Sequence, residues 1–250
     1  MTGGSVDPWE EHARWWQETF AGGEDAEYVE QILPLAARHL AGAACVLDVG
    51  AGEGQVARLA CSLGASSVVG VEPAQAQLAV ASARSGGPSY VRGEAGSLPF
   101  PPGCFDAAVA CLVFEHIADA GPPLVEVARV LRPGGSFLFF LNHPLLQVPG
   151  SGWIDDQVLD PPEQYWRVGP YLVEDRSMEE VDAGVVLPFV HRPLSCYVNA
   201  MTDAGLLVVR MEEPAPPPGF LARAPEYRAA ATIPRLLFML ARKGPGAGVP

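Results

Sequence analysis

Clustered positive charge is missing from this chain. Its 16 Lys and Arg are scattered among 29 Asp and Glu, leaving a formal net charge of −13. Polyanions are repelled by such a balance unless a basic patch overrides it, and the sequence contains none. Nucleic acid and membrane surfaces are therefore not expected partners. Long apolar runs are missing too, since none approaches the roughly 18 residues of a spanning helix. The segment Asp7-Pro8-Trp9-Glu10-Glu11 is too polar for a secretory signal. Cysteine is sparse: the 5 residues, Cys45, Cys61, Cys104, Cys111 and Cys196, stand too far apart for a disulfide framework or a CxxC metal knuckle. Asp155, Asp156 and Asp160 match no metal-loop spacing, so no metal is expected. These absences suit a cytoplasmic protein.

What is present is apolar sequence, 49% of the chain, arranged in alternating periods. Residues 8–20 place Trp9, Trp15, Trp16 and Phe20 among charges and predict an amphipathic helix; residues 26–41 predict a second. Short buried strands follow at 45–49, 67–72, 90–92, 105–111 and 137–141. Helical spacing lies between them, as in Val56, Leu59, Ala60 and Leu63, then over 74–84, then in Leu124, Val127, Ala128 and Leu131. Strands alternating with helices predict an α/β fold with a largely parallel sheet covered on both faces. Residues 144–192 break the rhythm with Pro, Gly, acids and aromatics; a segment this long is a functional lid or disordered, and its aromatics favour an ordered lid. A helix near 194–204 and strands at 206–209 and 235–241 complete the pattern. One domain is expected: an N-terminal helical lid (1–41), a core (42–143), a lid insertion (144–192), a C-terminal helix and strands (193–243) and a frayed tail (244–250).

The chemistry concentrates in Val46-Leu47-Asp48-Val49-Gly50-Ala51-Gly52-Glu53-Gly54. A buried strand runs into glycines that open a helix, which lets a ligand approach the backbone closely. Glu72 ends the next strand about 20 residues later, a spacing suited to gripping ribose hydroxyls. A dinucleotide fingerprint starting at Gly50 requires glycine at 55, where Gln55 stands. Asp48, two residues before the turn, meets a pyrophosphate poorly and an ammonium well. These features favour S-adenosylmethionine (SAM), which carries an ammonium and a sulfonium and no phosphate.

The motifs resemble those of the class I SAM-dependent methyltransferases, in the type 11 group that includes the ubiquinone and menaquinone methyltransferases. Asp48 to Gly54 is similar to that family's first motif, and Glu72 to its ribose acid. Gly93-Glu94-Ala95 through Phe100 is similar to the segment after its third strand, whose acid contacts the adenine. Phe105-Asp106 through Phe114-Glu115-His116 resembles its fourth motif, and Leu131-Arg132-Pro133-Gly134-Gly135 the turn before its fifth strand. His191-Arg192-Pro193-Leu194-Ser195 with Tyr197 resembles a segment of many actinobacterial members. The resemblance implies a Rossmann-like sheet of seven strands with the last antiparallel, SAM as cofactor and a small-molecule acceptor methylated at O, N or C. Expected cofactor contacts are Trp16, Asp48, Gly50, Ala51, Gly52, Gly54, Glu72, Pro73, Gly93, Glu94, Ala95 and Leu112. His116 and His143 follow strands at the ligand end of the sheet, and His191 and Tyr197 border the lid. These four are the candidates for proton removal or acceptor contact. Trp153, Tyr165, Trp166 and Tyr171 are expected to roof the acceptor pocket together with Trp15 and Trp16. The alternatives are a SAM-binding protein that catalyses a non-methyl-transfer step such as a cyclisation, a non-catalytic partner subunit, and an NAD enzyme.

Overall fold

A computed structural model describes residues 8–20, 25–223 and 229–245. Residues 246–250 of the expected frayed tail lie outside the described residues. Seven strands form one sheet: β1 (Cys45–Val49), β2 (Ser67–Glu72), β3 (Ser89–Arg92), β4 (Phe105–Cys111), β5 (Leu131–Asn142), β10 (Leu206–Glu212) and β11 (Leu236–Lys243). Their spatial order is β10-β11-β5-β4-β1-β2-β3. β1, β2, β3, β4 and β5 pair in parallel, while β11 runs antiparallel to both β5 and β10.

Side chains alternate across a strand, so each strand feeds two cores. Phe137, Phe139 and Leu141 pack with Leu124 and Val127 of α6 (Gly121–Val130) and with Tyr197 and Met201 of α7 (Leu194–Asp203). Leu138 and Phe140 pack on the opposite face with Leu35 and Ala36 of α3 (Leu33–Leu40) and with Val56, Ala57 and Ala60 of α4 (Gln55–Ser62). Burial on both faces explains why these strands are apolar without a break. The helix expected over 26–41 begins instead as a π-helical turn, Tyr28–Ile32, before continuing as α3. The first helix divides into α1 (Pro8–Glu11) and α2 (Ala13–Thr19).

Strand order reverses between β1 and β4, and such a switch point opens a crevice at the carboxyl ends of the strands. The insertion read as a lid contains regular structure. Residues 144–192 hold two antiparallel hairpins, β6 (Gly152–Asp156) with β7 (Glu163–Arg167), and β8 (Asp175–Asp182) with β9 (Val185–His191). A short helix, α8 (Pro218–Arg223), follows the proline-rich loop.

Candidate functional site

β1 ends where Gly50 turns the chain out of the sheet at φ +67°. The N–H groups of Gly50 and Ala51 both donate to the Val71 carbonyl, fixing the loop against β2. Gly52 sits at φ +53°, and a Cβ there would have only Trp16 Nε1 within 4 Å, at 3.9 Å. The loop therefore presents bare backbone to the space before it. Gly50 has a second reason to lack a side chain, because its Cβ would fall 2.5 Å from Val113.

That space is a cavity of about 470 Å³, within the usual range for small-molecule sites. Eleven of the twelve expected cofactor residues line it: Trp16, Asp48, Gly50, Ala51, Gly52, Glu72, Pro73, Gly93, Glu94, Ala95 and Leu112. Gly54 does not. It forms the N-terminal boundary of α4 at φ +86°, and a Cβ there would meet the Tyr90 hydroxyl at 2.0 Å, so its glycine answers to packing. Leu112, just past β4, holds φ +55°, a costly conformation for a branched residue and one that concentrates at functional sites.

The acids have defined partners. Asp48 is buried, and its Oδ2 accepts from Ala57 N at 3.0 Å, so it also serves α4 as the cap that Gly54 cannot supply. Burial, with the Glu72 charge adding to it, pushes Asp48 up to about 7 against the pull of the Ala57 hydrogen bond. Glu72 accepts from Gly52 N and from Ala74 N, each at 3.0 Å, which ties the glycine loop to the end of β2. Glu53 is neutralised by Arg58 and Arg84, each at 2.8 Å.

The roof comes from the N-terminus and the second hairpin. Glu10 accepts from Gln75 N and Ala76 N at the start of α5 (Gln75–Ala83), and Gln17 donates to Gln77 Oε1. Trp15 Nε1 donates to Asp182 Oδ2 at 2.8 Å, clasping α2 to the β8–β9 hairpin. Trp9 packs edge-on to Trp16 and to His116. From β9, the Pro188 carbonyl accepts from His116 Nδ1 at 2.7 Å, and Phe189 packs against the same ring.

The four acceptor-side candidates separate. His116 lines the cavity; burial lowers it to about 4, so it is neutral near pH 7. His143, His191 and Tyr197 are absent from the lining, and each is spent elsewhere. His143 donates to Glu213 and accepts from Leu145 N. His191 donates to the Tyr171 carbonyl, and Tyr197 is buried in the core beside Arg192. The expected aromatic roof is also corrected: Trp153, Tyr165, Trp166 and Tyr171 do not line the cavity, and Trp153 pairs with Trp166 across the first hairpin.

Several lining residues had no sequence signal: Tyr28, Gln77, Cys111, Asp119, Pro122 and Pro188. Arg192, read in the sequence only as part of the segment 191–195, acts on the site from outside the lining. Its buried guanidinium donates to the carbonyls of Phe114, Ile117 and Ala118 and so fixes the turn that carries His116.

The donor set fits SAM. Bare backbone at Gly52, carboxylates at Asp48, Glu72 and Glu94, and the absence of Lys or Arg among the described lining residues suit a ligand with cationic centres and hydroxyls. A pyrophosphate would meet the same carboxylates with no cation to receive it.

Comparison with known proteins agrees with this geometry. Residues 47–139 match the family model for a methyltransferase domain. The chain is 37% identical over 127 residues to an uncharacterised methyltransferase of Bacillus subtilis, covering 49% of this chain and 48% of that protein. It is 35% identical over 118 residues to a ubiquinone/menaquinone biosynthesis C-methyltransferase of Methylobacterium nodulans, 44% of this chain and 46% of that one. The chain thus matches about half the length of these curated relatives. A crystal structure of an S-adenosylmethionine-dependent methyltransferase from Mesorhizobium loti superposes with a TM-score of 0.73 at 28% identity, over 87% of this chain and 98% of that one. Residues 47–139 are therefore similar to a methyltransferase domain, and the sheet around them has the fold of an S-adenosylmethionine-dependent methyltransferase.

Proposed function

We propose that the protein transfers a methyl group from SAM to a small-molecule acceptor. One observation carries the reading: a cavity with no Lys or Arg among its described lining residues, lined by Asp48, Glu72 and Glu94 at the carboxyl ends of β1 and β2, where the chain matches a methyltransferase domain. Asp48 would hold the ammonium, Glu72 the ribose hydroxyls and Glu94 the adenine amine, and the Trp16 ring would face a cationic centre. Bound SAM supplies a methyl carbon already activated on a sulfonium. What remains for the protein is alignment and exclusion of water, and alignment alone is worth on the order of 7–11 kcal/mol in favourable cases. The roof of Trp9, Trp16 and Pro188 serves that end. His116 would contact the acceptor, a reading supported by its position in the lining. A cavity of about 470 Å³ suits a small acceptor rather than a macromolecular one, and the five free cysteines suit the cytoplasm.

Calorimetry with SAM and with NAD tests the reading. SAM is expected to bind at low-micromolar Kd or tighter and NAD not at all. Binding of NAD without SAM overturns it. With an acceptor in hand, one S-adenosylhomocysteine per product separates methyl transfer from a cyclisation.

A further inference from the structure

Anions bind readily at helix N-termini, where N–H groups point outward and the dipole is positive. Three helices begin at this cavity, and each is already answered by a carboxylate of the protein itself. Asp48 takes Ala57 N of α4, Glu10 takes Gln75 N and Ala76 N of α5, and Asp119 takes Gly121 N of α6. At α6 the next two residues are Pro122 and Pro123, which line the cavity and have no N–H to give. The cationic side chains nearby are committed as well: Arg58 and Arg84 to Glu53, and Arg192 to three carbonyls. Among the described residues the lining contains carboxylates at five positions and no Lys or Arg.

His116 adds an independent constraint. A carbonyl only accepts, so the bond to Pro188 O places the imidazole proton on Nδ1. Nε2 is then an acceptor only; no described residue hydrogen-bonds to it, and it keeps some exposure on a residue that lines the cavity. A lone pair held at the wall of a cavity is met by a donor and repelled by a carboxylate or phosphate oxygen.

We propose, building on the methyl-transfer reading above, that the acceptor is a neutral or cationic molecule offering an O–H or N–H to His116 Nε2, and that carboxylate and phosphate acceptors are refused. A phenol, an enol, an alcohol or an amine meets these terms. The β8–β9 hairpin thereby acts in selection, because its Pro188 carbonyl sets the tautomer that makes His116 an acceptor.

The test uses full-length protein loaded with S-adenosylhomocysteine, with loading measured by calorimetry. A set of one- and two-ring fragments is made with three alternative heads, phenol, benzylamine and carboxylate, and titrated by ligand-observed NMR at pH 7.5. Phenol and amine heads are expected to bind at least tenfold tighter than their carboxylate counterparts. His116→Phe, which keeps an aromatic ring beside Trp9 and Phe189, is expected to lose the phenol preference while retaining S-adenosylhomocysteine. Equal or tighter binding of carboxylates, binding of no head, or an unchanged ranking in His116→Phe overturns the proposal. Should that variant fail to hold S-adenosylhomocysteine, the wild-type ranking decides alone. Failure of the wild type to load S-adenosylhomocysteine would instead remove the methyl-transfer reading itself.

Discussion

Glu72 has two tasks that one substitution separates. It accepts from Gly52 N and Ala74 N and also faces the cavity. Glu72→Ala removes a charged hydrogen-bond acceptor worth roughly 1.5–3 kcal/mol, so SAM affinity is expected to fall by about one to two decades. Calorimetry on the variant checks this, and unchanged affinity would mean that the ribose lies elsewhere. Asp48 gives a pH signature. Lifted to about 7, it is largely protonated at pH 6 and ionised at pH 8, and only the ionised form attracts an ammonium. SAM affinity is therefore expected to rise between pH 6 and 8, with a proton released on binding, and Asp48→Asn should flatten the profile. Glu115 gives a stability counterpart. Burial raises it from 4.5 to about 7, so over that window the native state keeps a proton that the unfolded chain has lost, and stability falls as pH rises. Glu115→Gln keeps an oxygen for Asn142, whose N and Nδ2 both bond Glu115 Oε1. It is expected to gain on the order of 1–3 kcal/mol over wild type at pH 8 and little at pH 4, measured by urea unfolding.

At the scale of elements, the sequence was readable where one strand or turn carries its own signal. The runs at 45–49, 105–111 and 137–141 are apolar because they are buried on both faces, and the strands lie there. Asp48, the glycines and Glu72 were legible because a strand end, a turn and a second strand end are fixed by adjacency in the chain. The hairpins were not legible. β8 reads Asp-Arg-Ser-Met-Glu-Glu-Val-Asp and is mostly exposed, so no apolar alternation announces it. Tyr28, Pro188 and Arg192 reach the site through tertiary packing alone, a relation that no local spacing encodes. Large aromatics in an insertion suggested a pocket, yet Trp153 and Trp166 are a cross-strand pair that holds β6 to β7. Replacing residues 152–167 by a short Gly-Ser linker is therefore expected to leave SAM affinity within about threefold of wild type, since sites without shared partners act independently. Asp182→Ala, which frees Trp15, is expected to speed cofactor release in stopped-flow displacement. A large affinity loss from the linker variant would return the first hairpin to the site.

Across the molecule, β1, β2 and β4 all deliver their carboxyl ends to one cavity, so a ligand there braces the middle of the sheet. SAM at about 100 times its Kd adds about 2.7 kcal/mol to the native state. For a chain of this size that corresponds to a rise in Tm of roughly 5–10 °C, with no rise from NAD. A thermal melt followed by circular dichroism checks both. The chain's 5 tryptophans are unevenly placed: Trp9 and Trp16 line the cavity and pack edge to face with each other, Trp15 packs edge to face on Trp16, and Trp153 and Trp166 form a pair on the first hairpin. The molecule thus contains its own optical reporter. With Trp153 and Trp166 changed to Phe, all remaining indole emission arises beside the cavity, where an adenosyl or acceptor ring stacking near Trp16 quenches it. Emission intensity then follows ligand occupancy in real time, without label or coupled enzyme.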